Sequence, residues 1–367
     1  MTNPAKTRPY NFGAGPAMLP EAILLEAQKD LLNWRGTGMS VMEIGHRTVE
    51  FMAMMDEAQE LLRELLAIPE NYHVLFLGGS ARTQFAMIPM NFLPYDQQAG
   101  YLVSGTWSAL AYEECRRLKR AYCVASTEAN NFRCVPSPIN WQVQDDTAYI
   151  YYTSNETING VRFSEPPQFG DIPLMVDMTS SLLSEPLIIS DYGLIFAGAQ
   201  KNIAPAGLTV VIVRADLLEK SSDRPIPTML DYRTHVTNKS LYATPPTFNC
   251  YMALQMFKWI KAQGGVAVLH RLNMKKAEKL YDYIDNSAFY RCSVEKNSRS
   301  IMNVCFNIVK SDLEPVFVAQ AAASGLLALK GHKTVGGLRA SLYNAMPMAG
   351  VDALIDFMQK FSEKHSL

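Results

Sequence analysis

The sequence has no apolar run long enough to cross a membrane, and its N-terminus lacks the apolar segment of a secretory signal. It also has little net charge, because 34 lysines and arginines nearly balance 35 aspartates and glutamates, for a formal net charge of −1. A chain without an overall positive field is not drawn to nucleic acid or to anionic lipid, so local groups must hold any bound anion. We therefore expect a cytoplasmic protein that binds neither membrane nor nucleic acid.

Cysteine is sparse and lacks the spacing of a metal site. The six cysteines form no CxxC pair and no Cys/His ligand pattern: Cys115, Cys123, Cys134, Cys250, Cys292 and Cys305. This scatter argues against a structural zinc site and against a disulfide framework. We expect reduced thiols and no metal site.

Short apolar runs bounded by Gly, Asp or Ser recur through the first two-thirds of the 367 residues. They predict buried strands at 73–77, 99–104, 147–153, 173–177, 193–198 and 208–213. Amphipathic stretches such as 108–120 lie between several of them. Strands that alternate with helices predict an α/β fold with a mostly parallel sheet, which binds ligands beyond the carboxyl ends of its strands.

The pattern changes after Thr247, where a long helical run ends at Gly264 and Gly265. We place a domain boundary there, which gives a large domain at 16–262 and a smaller C-terminal α/β domain at 263–367, with residues 1–15 associated with the small domain. In the small domain, the pattern predicts helices at 266–285 and 314–325 and strands at 300–309 and 339–344.

The strand at 193–198 ends in small residues and leads directly to Lys201. A lysine at the end of a buried strand does not serve packing, although most lysines are solvated surface groups. Lysine forms Schiff bases with carbonyl compounds when burial lowers its pKa, because only the neutral amine is nucleophilic. Lys201 is therefore our candidate nucleophile.

The strand at 173–177 ends in an acid, Asp177, 24 positions before Lys201. Two such strand ends can meet in one cleft. In pyridoxal-phosphate enzymes, an acid beside the pyridine nitrogen keeps that nitrogen protonated. Because Thr and Ser follow Asp177, a role as a turn or helix cap stays open.

Three further features are weaker alone. The Gly-Gly-Ser turn at 78–80 precedes a helical pattern, so its backbone N–H groups could hold a phosphate or form an ordinary turn. It is neither GxGxxG nor GxxxxGK[ST], which removes the main support for a dinucleotide or P-loop site.

Trp107 near a helix start could stack on a heterocycle or pack in the core. Two basic clusters could hold an anion or be solvated: His46 with Arg47, and His332 and Lys333 with Arg339.

Together these features resemble the phosphoserine aminotransferase family, which are class V aminotransferases with the fold-type-I pyridoxal-phosphate fold. The resemblance runs nearly end to end, with the motifs in the family's order: NFGAGPAMLP, IGHRT, GGSARTQF, GTWS, SNETINGV, VDMTSS, AGAQKN, TPPTF and GHKTVGGLRASLYNAMP.

The resemblance implies a role for each matching residue. Lys201 would hold the cofactor covalently, Asp177 would pair with its ring nitrogen, Trp107 would stack on the ring, and Thr157 would donate to the ring hydroxyl. The cofactor phosphate would be held by Ala81, Arg82 and Gln200, and by Ala243 and Thr244 from the neighbouring subunit. Ala243 and Lys333 stand where better-known members carry Asn and Arg, and GGSARTQF replaces a more glycine-rich turn. The neighbour's His46 and Arg47 would join His332 and Lys333 on the substrate's distal anion, and Arg339 would bind the α-carboxylate.

By the same resemblance, the chain would be a homodimer with shared active sites that transfers an amino group from glutamate to 3-phosphohydroxypyruvate, in serine biosynthesis. A second phosphorylated keto acid, related to 4-phosphohydroxy-threonine in pyridoxine biosynthesis, stays open. So do three other interpretations: a cysteine desulfurase, although no cysteine has an activating context; a decarboxylase, although Gln200 rather than His precedes the lysine; and an inactive binding protein.

Overall fold

The computed structural model describes residues 8–219 and 225–365. Its strands are β1 (Tyr10–Asn11), β2 (Tyr72–Gly78), β3 (Gln98–Val103), β4 (Ala121–Ser126), β5 (Thr147–Thr153), β6 (Asn155–Glu156), β7 (Val161–Arg162), β8 (Leu174–Asp177), β9 (Leu194–Gly198), β10 (Leu208–Arg214), β11 (Tyr290–Arg291), β12 (Asn303–Ile308), β13 (Leu326–Leu327) and β14 (Leu338–Ser341). Its α-helices are α1 (Glu21–Asp30), α2 (Val49–Leu66), α3 (Thr83–Phe92), α4 (Thr106–Leu118), α5 (Ala215–Glu219), α6 (Tyr232–Thr237), α7 (Thr247–Ala262), α8 (Val266–Asp285), α9 (Glu314–Ala323) and α10 (Met348–His365). Single-turn 3₁₀ helices lie at Trp34–Gly36, Glu128–Asn130, Pro138–Asn140, Ile189–Asp191, Thr228–Leu230, Lys296–Ser298 and Ser311–Leu313.

The central sheet has seven strands in the order β2-β10-β9-β8-β5-β3-β4. Every neighbouring pair from β9 to β4 is parallel, whereas β10 is antiparallel to both β2 and β9. Since β10 alone is reversed within this sheet, the carboxyl ends of β2, β3, β5, β8 and β9 lie along one edge. The predicted α/β class with a mostly parallel sheet is confirmed.

Side chains alternate between the two faces of this sheet, as the pleat of a strand requires. In β2, Val74 and Phe76 belong to a core shared with α2 and α7, whereas Leu75 and Leu77 belong to a core on the other face with α3 and α4. Both faces are covered, which explains why the central strands have nearly continuous apolar sequences. All six strands predicted in this region are present, with bounds shifted by at most one residue.

Strand β4 escaped prediction because its residues alternate between buried and partly buried, so its sequence lacks the unbroken apolar character of the other strands in this sheet. The two-residue strands escaped for another reason: each is defined only by its partner, as when β6 pairs with β7 in a hairpin.

A separate apolar core is built from α8, α9, α10, β12 and β14. The helix predicted at 266–285 coincides with α8. Phe12 is buried in this core, and β1 pairs in parallel with β13. Residues 1–7, 220–224 and 366–367 lie outside the described residues. The boundary at 262–263 and the association of residues 1–15 with the small domain stay predictions.

A buried lysine connects this second core to the loop beyond β14. Lys276 is 2% exposed and donates hydrogen bonds of 3.0 Å to three carbonyl groups in loop 342–346. Burial lowers the pKa of Lys276 to about 7. In the same loop, the Asn344 N–H donates to Asn202 Oδ1 at 3.1 Å, which fixes the loop against the turn that carries Lys201. Across the described ranges, no helix is both long and apolar enough to span a membrane.

Candidate active site

A pocket opens at the carboxyl edge of the central sheet. It is lined by Ser80, Ala81, Arg82, Phe85, Trp107, Thr153, Asn155, Thr157, Asp177, Thr179, Ser180, Gln200 and Lys201. These residues follow the ends of five different strands, so the parallel topology brings together parts of the chain that are far apart in sequence.

Lys201 lies in the turn after β9 and is 7% exposed. Its Nζ donates a hydrogen bond to Thr157 Oγ1. Burial lowers the pKa of Lys201 to about 8; the charges of Asp177 and Glu156 oppose this effect, and that of Arg339 adds to it. A much larger fraction of this lysine is therefore neutral near neutral pH than of a solvated lysine.

Asp177 ends β8, the strand next to β9, and lies beside Phe196 in the paired register. Its Oδ1 accepts a hydrogen bond of 2.8 Å from the Thr179 N–H. Burial raises the pKa of Asp177, whereas the hydrogen bonds from Thr179 and the charge of Lys201 lower it. Asp177 therefore caps the turn that follows it, as the sequence allowed, and it also lines the pocket.

The turn between β2 and α3 presents backbone donors to the pocket. Within the described part of the chain, the N–H groups of Ser80 and Ala81 have no hydrogen-bond partner. Gly198 brings this turn close to Gln200: a Cβ on Gly198 would lie 3.1 Å from Ala81 Cβ and 2.5 Å from Gln200 Oε1. Free N–H groups before a helix N-terminus form an anion-binding turn.

Trp107 belongs to the first turn of α4 and lines the pocket. Its Nε1 is buried without a hydrogen-bond partner among the described residues, and the guanidinium carbon of Arg82 lies 4.9 Å from its ring centroid. This contact is a cation–π interaction. The pocket therefore has an aromatic wall with a cation against it.

The second basic cluster lies beside the pocket. Arg339 Nη1 donates to the Thr157 carbonyl at 3.3 Å, so Thr157 connects Arg339 to Lys201. Arg339 and His332 line an adjoining cleft. Burial lowers the pKa of His332, with further contributions from the charges of Arg339 and Lys333. Lys333 is exposed.

Four predicted site residues lie away from this pocket within a single chain. His46 and Arg47 are in the turn before α2, and His46 Nε2 is buried with no hydrogen-bond partner in the described part of the chain. Ala243 and Thr244 are exposed and line a different pocket beside Gly78. A single chain therefore assembles only part of the predicted set.

Some residues at the site escaped the sequence analysis. Polar groups at the ends of predicted strands, or just after them, line the pocket: Thr153, Asn155, Thr179 and Ser180. Glu156 is fully buried behind it. The available signal was position, because each ends a strand or follows a strand end within three residues, as Asp177 and Lys201 do.

The chain matches the family model of class-V aminotransferases over residues 9–354. It is 59% identical to a phosphoserine aminotransferase of Legionella pneumophila (strain Lens), over 98% of this chain and 99% of that protein. It is 48% identical to one of Hahella chejuensis, with the same coverage. Among solved structures, a phosphoserine aminotransferase from Bacillus circulans subsp. alkalophilus has a TM-score of 0.95 and 46% identity, over 98% of this chain and 99% of that one. The PLP-bound enzyme from Trichomonas vaginalis has a TM-score of 0.93 and 43% identity, over 96% of this chain and 100% of that one.

The fold-type-I architecture, with a buried lysine and an acid at neighbouring strand ends, defines an aminotransferase of class V. Within that class, the chain belongs to the phosphoserine aminotransferase family.

Proposed function

We propose that this chain uses pyridoxal 5'-phosphate to transfer an amino group reversibly between L-glutamate and 3-phosphohydroxypyruvate, giving O-phospho-L-serine and 2-oxoglutarate. The observation that carries the proposal is the meeting of Lys201 and Asp177 in one pocket, at the ends of two paired parallel strands. The 59% identity to a phosphoserine aminotransferase supports the choice of substrates. A cytoplasmic location is part of the same proposal and agrees with six free thiols.

The residues of the pocket fit this cofactor. The unpaired N–H groups of Ser80 and Ala81, with Gln200, would hold its phosphate, and Trp107 would cover its ring. Thr157, whose hydroxyl contacts Lys201, would donate to the ring hydroxyl. When bound, the cofactor supplies the electron sink that stabilises a carbanion at the substrate's Cα.

Lys201 and Asp177 divide the proton chemistry between them. With a pKa of about 8, Lys201 can attack a carbonyl carbon as a neutral amine and later accept the proton from the substrate's Cα. Asp177 is held in place by the Thr179 N–H and would keep a ring nitrogen protonated. General-base catalysis of this kind contributes about 10²–10⁴ in rate.

The basic residues would select the substrates by their anions. Arg339 contacts Thr157 and lies near enough to Lys201 to lower its pKa, so it is well placed to bind an α-carboxylate next to the reacting carbon. His332 and Lys333, on the outer side of Arg339, would face the distal anion. Glutamate's side-chain carboxylate and the phosphate ester would share this subsite, which lets one site serve both half-reactions.

A homodimer would complete the site. The segment 32–52, which contains His46 and Arg47, also carries exposed apolar side chains: Leu32 (83%), Met39 (47%), Met42 (55%), Val49 (74%) and Met52 (40%). Ala243 and Thr244 lie near Tyr242, which is 44% exposed, and Met229, at 49%. Exposed apolar surface of this extent is typical of a protein interface. A partner that covers both surfaces would bring the four distant residues into the neighbouring site.

The thiols argue against the desulfurase interpretation. Burial raises the pKa of all six cysteines, which disfavours the thiolate that a nucleophilic cysteine needs. An inactive binding protein would have no need for a buried lysine with a lowered pKa. The absorbance of covalently bound cofactor in purified protein would distinguish an enzyme from such a protein.

Substrate selection gives the direct test of the proposed reaction. With glutamate as donor, we expect kcat/KM for 3-phosphohydroxypyruvate to exceed that for hydroxypyruvate by at least about 100-fold, because two or more charge-assisted contacts, each worth about 1.5–3 kcal/mol, would bind the phosphate. Formation of 2-oxoglutarate measures the rate. Hydroxypyruvate is the matched control, since it lacks only the phosphate. Equal use of the two acceptors would refute the assignment. The keto acid related to 4-phosphohydroxy-threonine is tested as a third acceptor.

Subunit mixing tests the shared site. Arg47→Ala is expected to raise KM for the phosphorylated keto acid by roughly 10–100-fold, because one desolvated charge contact is lost. When Arg47→Ala and Lys201→Ala subunits exchange, a mixed dimer has one site with both lesions and one with neither. At subsaturating acceptor, up to half of the wild-type activity per heterodimer should return. If heterodimers form and nothing is recovered, Arg47 serves the lysine of its own subunit.

A further inference from the structure

A carboxylate without a cationic hydrogen-bond partner is buried directly behind the pocket. Glu156, the second residue of β6, has 0% of its surface exposed. Glutamate is almost never fully buried unless it is paired. Within the described residues, the three groups that donate hydrogen bonds to the Glu156 carboxylate are neutral, and they all belong to the first turn of α4. Solubility and surface charge therefore cannot explain why a carboxylate occupies this position.

The Glu156 carboxylate replaces the missing cap of α4. Its Oε2 accepts from the Trp107 N–H at 2.9 Å, and its Oε1 accepts from the Ser108 N–H at 2.8 Å and the Ser108 hydroxyl at 2.6 Å. The residue at the N-cap position, Gly105, has no side chain, and a Cβ there would lie 2.4 Å from Glu156 Cδ. The first turn of a helix leaves its N–H groups without intrahelical partners, and a carboxylate satisfies them well.

Asn159, three residues after Glu156 in the same hairpin, completes the cap by a separate contact. Asn159 Oδ1 accepts from the N–H and the hydroxyl of Thr106, at 3.0 and 3.1 Å. Asn159 therefore acts on the residue before Trp107, whereas Glu156 acts on Trp107 itself. The two caps can be separated by mutation.

Glu156 holds two parts of the pocket in a fixed relation. Through the backbone of Trp107 it sets where the indole leaves α4. Across residues 8–219 and 225–365, the indole Nε1 has no hydrogen bond that would orient it. The next residue, Thr157, accepts the hydrogen bond from Lys201 Nζ. Two consecutive residues of the hairpin therefore contact both parts of the pocket: Glu156 holds the backbone of Trp107, and Thr157 binds Lys201.

Glu156 also contributes to the charge balance of the site. Burial raises the pKa of Glu156 to about 7, with the hydrogen bonds from Ser108 and Trp107 opposing this effect and the charge of Asp177 adding to it. In turn, the charge of Glu156 raises the pKa of Lys201. This is the smallest of the four effects on the pKa of Lys201, so the removal of Glu156 is mainly a geometric change.

We propose that Glu156 is a positioning residue for the cofactor ring: it fixes the start of α4 so that Trp107 covers the ring held by Lys201. This inference rests on the proposed function, because it concerns the same cofactor. A helix cap without this role would change only the stability of the fold.

The test is equilibrium binding of pyridoxal 5'-phosphate to the apo-protein, which does not depend on turnover. Glu156→Gln keeps the shape but turns an NH₂ group toward either the Trp107 or the Ser108 N–H, so we expect the dissociation constant to rise roughly tenfold. Glu156→Asp keeps the charge and is expected to recover part of the loss; it also serves if the glutamine variant fails to fold. Asn159→Ala is the matched control, expected to lower the melting temperature while changing the dissociation constant less than twofold.

A double-mutant cycle decides whether Glu156 acts through Trp107. In a Trp107→Ala background, Glu156→Gln should have little further effect on the dissociation constant, because there is no ring left to position. An unchanged constant in the wild-type background, or the same tenfold loss in both backgrounds, would overturn the inference. If the wild-type protein itself does not bind the cofactor, the proposed function fails, which is a separate outcome.

Discussion

Lys201→Ala is expected to lower kcat by at least about 10³-fold, since it removes the nucleophile and the general base together. The absorbance of covalently bound cofactor should be lost, although cofactor can remain bound noncovalently through the turn at 80–82 and Asp177. Steady-state rates and absorbance spectra measure the two effects. A variant with near-normal activity and an unchanged absorbance band would show that Lys201 has been assigned wrongly.

A second buried lysine provides the control for this variant. Lys276 is also buried with a lowered pKa, about 7, but it donates to loop carbonyls away from the pocket. Lys276→Ala is expected to lower the melting temperature, because three buried carbonyl groups lose their partner, and to leave kcat of the folded protein nearly unchanged. Comparison of Lys201→Ala with Lys276→Ala therefore distinguishes the loss of a catalytic group from the loss of any buried lysine.

For wild-type apo-protein, covalent capture of the cofactor should depend on pH in a defined direction. The pKa of Lys201 is about 8 rather than 10.5, so its neutral form increases as the pH rises through about 8. The capture rate is therefore expected to rise from pH 6 to 8 and to level off above about 9. A rate that continues to rise up to pH 10 would indicate a solvated lysine.

Asp177→Asn is expected to lower kcat at least about 100-fold with little change in melting temperature. Asparagine keeps an oxygen that can accept the 2.8 Å hydrogen bond from the Thr179 N–H, so the turn survives. It cannot provide the negative charge that keeps a ring nitrogen protonated, so the carbanion would lose its electron sink. The kcat and the thermal unfolding transition are measured on the same preparation.

Asp231 offers a matched control with the same local geometry. Its Oδ1 accepts from the N–H two residues later, Arg233, at 2.9 Å, and it does not line the pocket of Lys201. Asp231→Asn is expected to leave kcat unchanged. If Asp177→Asn kept the wild-type kcat while its melting temperature collapsed, Asp177 would be only a turn cap.

The central strands and long helices could be predicted because the pattern of apolar residues in their sequences follows the pattern of burial. Strands covered on both faces are apolar along most of their length, and α8 has one apolar face over 20 residues. The edge strand β4 and the hairpin of β6 and β7 could not be predicted this way. Their identity depends on which neighbour they pair with, and local sequence carries little information about that.

Within the site, the residues that could be predicted are those that stand out against their surroundings. Lys201 and Asp177 are charged residues at the ends of apolar strands, and a charge in such a place is conspicuous. Glu156 is as deeply buried, but it follows a short polar stretch, so its sequence context suggests a solvated turn. Only the packing of the hairpin against α4 reveals that its carboxylate is enclosed.

The sequence by itself determined the class of fold, the order of the central strands and helices along the chain, and the lysine and acid at two strand ends, because each depends on local burial patterns. Only the tertiary structure decided that these two ends are neighbours, that Arg339 reaches the lysine through Thr157, and that Glu156 caps α4. It also separated His46, Arg47 and Thr244 from the pocket of their own chain. The physical reason is that the energies involved, of hydrogen bonding, burial and charge, depend on distances between groups that the chain brings together only when it folds.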